Sequence, residues 1–232
     1  MTEQILEYKG VAVYLTRKKI KNLYIRIKEP DARVMVSVPL RTSRKAIAAF
    51  LEGHWSWICE KRSEILENQK PPEPEKQYLS GERHLLWGIP YELITERSLK
   101  KPLTELRENA IYMRVTAHST KVERKKQLDS WYRQRLEERL AELIPTCEEI
   151  VGKHALEWRF RRMKTRWGTC NIQKKRICLN IQLAEKPPEC LEYVVIHELT
   201  HLHEPGHNKR FWGLMDVFCT DWREKKRKLN GD

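Results

Sequence analysis

No stretch of this sequence is long and apolar enough to span a membrane, and Met1-Thr2-Glu3-Gln4 opens no signal-peptide pattern. Both absences make the cytoplasm the expected location and leave no membrane partner to look for. The cysteines are scattered: Cys59, Cys147, Cys170, Cys178, Cys190 and Cys219 form no CxxC pair. In a chain without an export signal they read as reduced, mostly buried thiols rather than disulfide staples. No internal repeat or low-complexity tract is evident, which argues against repeat and disordered architectures. What remains is a soluble globular chain of 232 residues, 40% hydrophobic and 33% charged. That length is enough for one large or two small domains with a real core.

Against this background one segment carries chemistry. His197-Glu198-Leu199-Thr200-His201 is an HExxH motif, followed by Pro205-Gly206 and then His207. Four residues slightly exceed one helical turn, so His197 and His201 lie on one face, about 40° apart. Both imidazoles can reach one metal ion, with Glu198 beside them as a base for a metal-activated water. Leu191, Val195, Leu199 and Leu202 form an apolar stripe at three- and four-residue spacing, centred roughly 140° away on the helical wheel. The helix is therefore expected over Pro188–His203, with proline suited to its first turn. Pro205-Gly206 ends it and can swing His207 back as a third ligand. Glu204 and Asp216 are rival third ligands, whereas His203, two residues past His201, points elsewhere. Three protein ligands with an open fourth position describe a catalytic Zn2+ site rather than a structural one.

The surrounding pattern is that of an α+β protein. Strands are expected at Val11–Thr16, Leu23–Ile27 and Val34–Val38, then a helix over Arg44–Glu67 capped by Ser43. Pro71-Pro72-Glu73-Pro74 reads as a linker. A hairpin over Leu85–Ile94 turns at Gly88, and Ile111–Val115 is a further strand. A long helix over Lys125–Val151, interrupted or bent at Pro145, precedes strands at Arg159–Trp167 and Arg176–Leu183. The metal helix follows, and then a closing helix capped by Asn208. This order divides the chain into a β-rich lobe with one long helix, residues 1–120, and a catalytic domain, residues 121–232. The amino-terminal half is expected to form one wall of the cleft.

The net charge is +13 and unevenly spread: from Trp158 to Arg176 there are eight basic residues and no acid. Trp158, Phe160 and Trp167 interleave with them, so the 159–176 cluster can hold an anionic partner, a nucleotide or nucleic acid, by stacking and charge. The plainer alternative is a half-buried strand whose aromatics face the core while Arg159 and Arg161 share the outer face.

Met163-Lys164-Thr165-Arg166-Trp167-Gly168-Thr169-Cys170, Ile177-Cys178-Leu179-Asn180, Tyr193 to Leu202, His207-Asn208 and Phe211-Trp212 occur in that order. Together they resemble the YgjP-like metallopeptidase family, which is related to SprT-type zincins. The similarity extends over most of the chain, including Val36 to Leu40 and Trp55-Ser56-Trp57-Ile58. The resemblance implies a zincin-like metallohydrolase lobe, a zinc ion held by His197, His201 and His207, and Glu198 as catalytic base. Arg166 and Tyr193 are then candidates for stabilising the oxyanion, and Leu179-Asn180-Ile181 for aligning an extended peptide by β-addition. A peptide or protein is the expected substrate. The alternatives are a nucleoside triphosphate pyrophosphohydrolase, or a nucleic-acid-associated protease that processes other proteins, as the resemblance to SprT-like proteins suggests.

Overall fold

The computed structural model describes residues 3–67 and 75–231, so the Pro71–Pro74 linker lies outside the described residues. The chain divides into two compact units, Met1–Glu75 and Lys76–Asp232.

The first unit holds strands β1 (Glu3–Tyr8), β2 (Val11–Lys18), β3 (Tyr24–Lys28) and β4 (Arg33–Pro39), then helices α1 (Arg44–Gly53) and α2 (Trp55–Glu67). The sheet order is β1-β2-β4-β3, with β2 and β4 parallel and the outer pairs antiparallel. Alternation along the strands decides which face is covered. Val13, Leu15, Val34, Val36 and Val38 turn inward and pack with Ile47, Leu51 and Ile58 of the two helices. Ser43 caps α1 as expected, accepting from the Ala46 amide at 3.2 Å. The single helix expected over Arg44–Glu67 is instead two, parted at Gly53-His54. Glycine lowers helix stability by about 1 kcal/mol relative to alanine, and α1 closes there with the His54 amide donating to the Leu51 carbonyl at 3.2 Å.

The second unit opens with β5 (Arg83–Leu86), β6 (Ile89–Arg97), β7 (Leu103–Arg107) and β8 (Ala110–Val115). Their order is β5-β6-β8-β7, with β6 and β8 parallel. Order and directions repeat those of the first sheet, so one topology is used twice, a repeat that spacing and composition do not reveal. Helix α3 (Lys121–Val151) starts at a capping box between Thr120 and Glu123 and runs through Pro145 without a break. Buried Leu140, Cys147 and Val151 anchor it on both sides of the proline. Leu86, Leu93, Ile111, Met113 and Val115 share one core with Leu128, Trp131, Tyr132 and Leu136 of α3. Because of that shared core, residues 76–120 belong with the second unit, and the boundary lies at 75/76 rather than at the expected 120/121.

A third sheet comprises β9 (Glu157–Arg161), β10 (Gly168–Asn171) and β11 (Arg176–Asn180), followed by α4 (Pro188–Thr200), α5 (Lys209–Phe218) and α6 (Trp222–Asn230). The strand expected over Arg159–Trp167 is thus β9 plus a loop, and β10 is an additional strand. The cause is Asn180. Its amide donates to the carbonyls of Met163 and Arg166, both at 2.9 Å, and its oxygen accepts from the Met163 amide at 3.2 Å. These bonds pull residues 163–166 out of the sheet. β11 is central, antiparallel to β10 and parallel to β9, and β10 is an edge. The closing helix is also two helices, α5 and α6.

Candidate metal centre

Helix α4 has the expected proline in its first turn, but it is more than amphipathic. Leu191, Val194, Val195, Ile196, Leu199 and Thr200 are all buried, so the helix is enclosed on most of its circumference. What interrupts the packing is a cavity of about 500 Å³ lined by His197, Glu198, His201, His207, Tyr193 and Arg166, among others. All of its lining comes from residues 166–207. Beside α4, the wall of the cavity is built by β10 and the loops around it.

The ligand atoms of His197, His201 and His207 lie within 4.8 Å of one another. The Nε2 atoms of His197 and His207 face each other at 2.9 Å. His201 Nδ1 meets the Glu204 carbonyl at 3.1 Å, which leaves its Nε2 free. Burial holds the His197 imidazolium form down to about 3, aided by the neighbouring histidines and Lys226. His201 and His207 are also lowered, chiefly by burial. Neutral imidazoles are the form that binds a metal ion, so the site is set for one. The rival third ligands lie outside the cluster: the Asp216 carboxylate accepts from Trp222 Nε1 and Arg223, and the Glu204 carboxylate lies 3.9 Å from Arg210 Nε.

Glu198 is 5% exposed, and its Oε2 is buried with no hydrogen-bond partner among the described residues. Burial pushes its carboxyl up to about 8, against the pull of the Arg166 guanidinium. Tyr193 presents an edge to the His197 ring at 5.7 Å between centroids, and burial raises its phenol to about 12, so it stays protonated. Arg166 and Tyr193 therefore share the cavity with the histidines. Asn180 does not. It is buried, its amide is fully engaged with backbone, and it positions the 163–166 loop instead of meeting a substrate. The β-addition expected at Leu179–Ile181 is also ruled out, because β11 is flanked on both sides.

Three supporting residues went unassigned in the sequence. Phe211 is fully buried and lies 4.7–4.9 Å from all three imidazole rings. Trp212 stacks on His207 at 5.6 Å and 24°, and its Nε1 donates to the His207 carbonyl at 3.1 Å. Gly168 lies against Glu198: a Cβ there would stand 2.4 Å from Oε1. All three belong to the motif residues quoted above, but spacing alone gave them no role. His203 Nε2 meets the Val151 carbonyl at 2.8 Å, tying the end of α4 to α3.

The basic cluster is less free than its sequence suggests. Glu157 pairs with Arg159 and Arg176, and Arg162 pairs with Asp129 at 2.6 Å and Glu185 at 3.3 Å. Trp158, Phe160 and Trp167 pack against the core. The three rings are half-buried: Phe160 borders the hollow that carries Arg159 and Arg161, and Trp167 borders the metal cavity. Arg159 and Arg161 do share the outer face, where with Arg176 they line a separate hollow of about 430 Å³.

A family model for the YgjP-like metallopeptidase domain matches residues 21–232. The chain belongs to the YgjP-like family. Membership supports a metal-dependent hydrolase. Among solved structures, the chain is similar to the metallopeptidase zymogen of Pyrococcus abyssi abylysin, at 23% identity and a TM-score of 0.35. That similarity covers 39% of this chain and 90% of the other. No curated protein matches the sequence significantly.

The third ligand can be tested directly. In His207→Ala, metal affinity should fall by about tenfold or more while the far-ultraviolet spectrum is unchanged, since His207 is exposed and outside the core. Unaltered affinity in a metal titration would remove His207 from the ligand set.

Proposed function

We propose that this member of the YgjP-like family is a cytoplasmic zinc metallopeptidase whose second unit works as a zincin-like lobe. His197, His201 and His207 hold the metal, and Glu198 is the general base. The observation that carries this reading is the convergence of three imidazoles, their ligand atoms within 4.8 Å of one another, beside a buried carboxyl whose Oε2 has no partner among the described residues. The donor set fits a borderline-soft divalent cation, with three nitrogens and room for a further ligand from the cavity side.

When bound, such an ion supplies Lewis acidity and lowers the pKa of a coordinated water. Beside a divalent cation the ionised form of Glu198 is favoured despite its burial. The carboxylate then accepts a proton from the attacking water and returns it to the leaving amide nitrogen. Tyr193, held protonated, and Arg166 are the donors available to the developing oxyanion. Substrate alignment passes to β10, whose outer edge is unpaired and whose Gly168, Thr169 and Cys170 line the cavity.

One observation favours a second reading. Thr169 and Cys170 line both the metal cavity and the hollow that carries Arg159, Arg161 and Arg176, so an anionic substrate could extend from one to the other. That suits a nucleoside triphosphate. The zinc-loaded protein should therefore be assayed on casein, short peptides and nucleoside triphosphates, with chelated protein as the blank. Peptide cleavage lost on chelation is the expected result. Pyrophosphate release without peptide cleavage would replace the first reading by the second.

A further inference from the structure

The two four-stranded sheets share one topology but not one surface. In the first, the face turned away from α1 and α2 carries Tyr14, Thr16 and Lys18 from β2, Tyr24, Arg26 and Lys28 from β3, and Arg33, Met35 and Ser37 from β4. At corresponding positions of the second sheet stand Ile94 and Glu96 of β6, Leu103, Glu105 and Arg107 of β7, and Ala110, Tyr112 and Arg114 of β8, a face on which acids and bases balance. The fold therefore does not require a cationic face, yet the first sheet has one. From Arg17 to Lys28 there are six basic residues and no acid. Lys18, Arg26 and Lys28 make no ion pair among the described residues, whereas Arg33 pairs with Asp31 at 2.8 Å.

These cations alternate with flat groups. Tyr24 is 52% exposed, and the Arg33 guanidinium lies over the Tyr14 ring, 4.7 Å from its centroid. Register places Thr16, Ser37 and Tyr24 side by side in one row across three strands, and Tyr14, Met35 and Arg26 in the next. The rows border a shallow hollow of about 570 Å³. Same-face positions are about 6.7 Å apart along a strand and about 4.8 Å apart between strands. A flat sheet of this kind, with rings for bases and free cations for phosphates, is how single strands are held without a groove.

We propose that this face of the amino-terminal sheet binds single-stranded RNA. Tyr24 stacks a base, and Lys18, Arg26 and Lys28 neutralise phosphates. The hydroxyl row of Thr16, Ser37 and Tyr24 offers partners to ribose 2′-hydroxyls, which favours RNA over DNA. The proposal is independent of the metal centre, because every residue it uses lies in the first unit.

Fluorescence anisotropy of the full chain with a short labelled oligouridine tests it. Deoxy-oligomer, duplex DNA, anionic vesicles and polyglutamate serve as competitors. Oligouridine should bind more tightly than all four. Arg26→Glu/Lys28→Glu should weaken binding by about tenfold or more, with the salt slope shallower by roughly 0.7 for each lost phosphate contact. Arg26→Gln/Lys28→Gln gives the same readout if the reversal perturbs folding. Tyr24→Ala should weaken binding by about fivefold or more without changing the slope, while Tyr24→Phe stays within about twofold. The charge-matched reversal Lys100→Glu/Lys101→Glu should have little effect. Absence of RNA binding, equal or tighter binding of any competitor, or an unchanged affinity in Tyr24→Ala would each overturn the proposal.

Discussion

Replacing Glu198 by glutamine should leave one metal ion per chain and lower turnover by at least about a hundredfold. The substitution keeps the volume of a side chain that is 5% exposed, so the packing around it is preserved. It removes the only group of the cavity lining that can act as a carboxylate base beside the three histidines. The imidazoles are held by contacts that Glu198 does not make: His201 by the Glu204 carbonyl, His207 by Trp212, and all three rings by Phe211. Metal analysis of the purified variant and a rate on the best substrate from the profiling assay are the two readouts. Metal retained with turnover lost separates a base from a ligand. Near wild-type turnover would move the base elsewhere, and loss of the metal would make the carboxylate part of the coordination set.

The prediction has the same form for a peptide and for a nucleoside triphosphate, since both need a proton taken from water. It therefore tests the chemistry of the site separately from the choice of substrate. Arg166 and Tyr193 do not share that property, because their roles depend on where an oxyanion forms.

How far the site was legible in the sequence depended on how local each interaction is. HExxH is a statement about one helical turn, and the imidazoles of His197 and His201 meet as that turn requires. His207 is reached through one chain reversal, and spacing alone left Glu204 and Asp216 open beside it. Gly168, Phe211 and Trp212 were out of reach because their contacts come from tertiary packing of β10 and α5 on α4, which no periodicity records. The same limit explains Asn180. Its place in the motif suggested a substrate contact, but only the fold shows that its amide closes a loop on itself. In the fold, hydrophobic alternation located β2 and β4. It missed β1 and β7, whose exposed edge positions leave little apolar contrast, as in the pattern of Leu103–Arg107. The duplicated sheet topology escaped for a related reason, since strand order is a long-range property. The different residues on the two sheets' equivalent faces, cationic on the first and balanced in charge on the second, further obscure it.

Gly168→Ala should lower turnover by about a hundredfold, close to the effect of removing the base, while metal binding stays intact. Gly168 is the first residue of the edge strand β10 and pairs with Leu179, so its backbone is ordinary extended strand and the requirement is for space. An added Cβ would lie 2.4 Å from Glu198 Oε1, 2.7 Å from Cγ and 2.8 Å from Cδ, closer than non-bonded atoms approach. A flexible carboxylate on the surface would turn aside. This one is enclosed between β10 and the helix, so the methyl group must displace either the strand or the carboxylate from its position beside the histidines. A 1 Å displacement of a catalytic group can by itself lose two orders of magnitude. If Gly168 acts only through Glu198, the two changes will not add: Glu198→Gln/Gly168→Ala should be about as slow as Glu198→Gln alone. A double variant slower by the product of the single effects would assign Gly168 a separate role, with alignment of substrate along β10 the first to examine. Full turnover in Gly168→Ala would show that the carboxylate works from another position than the one beside this glycine.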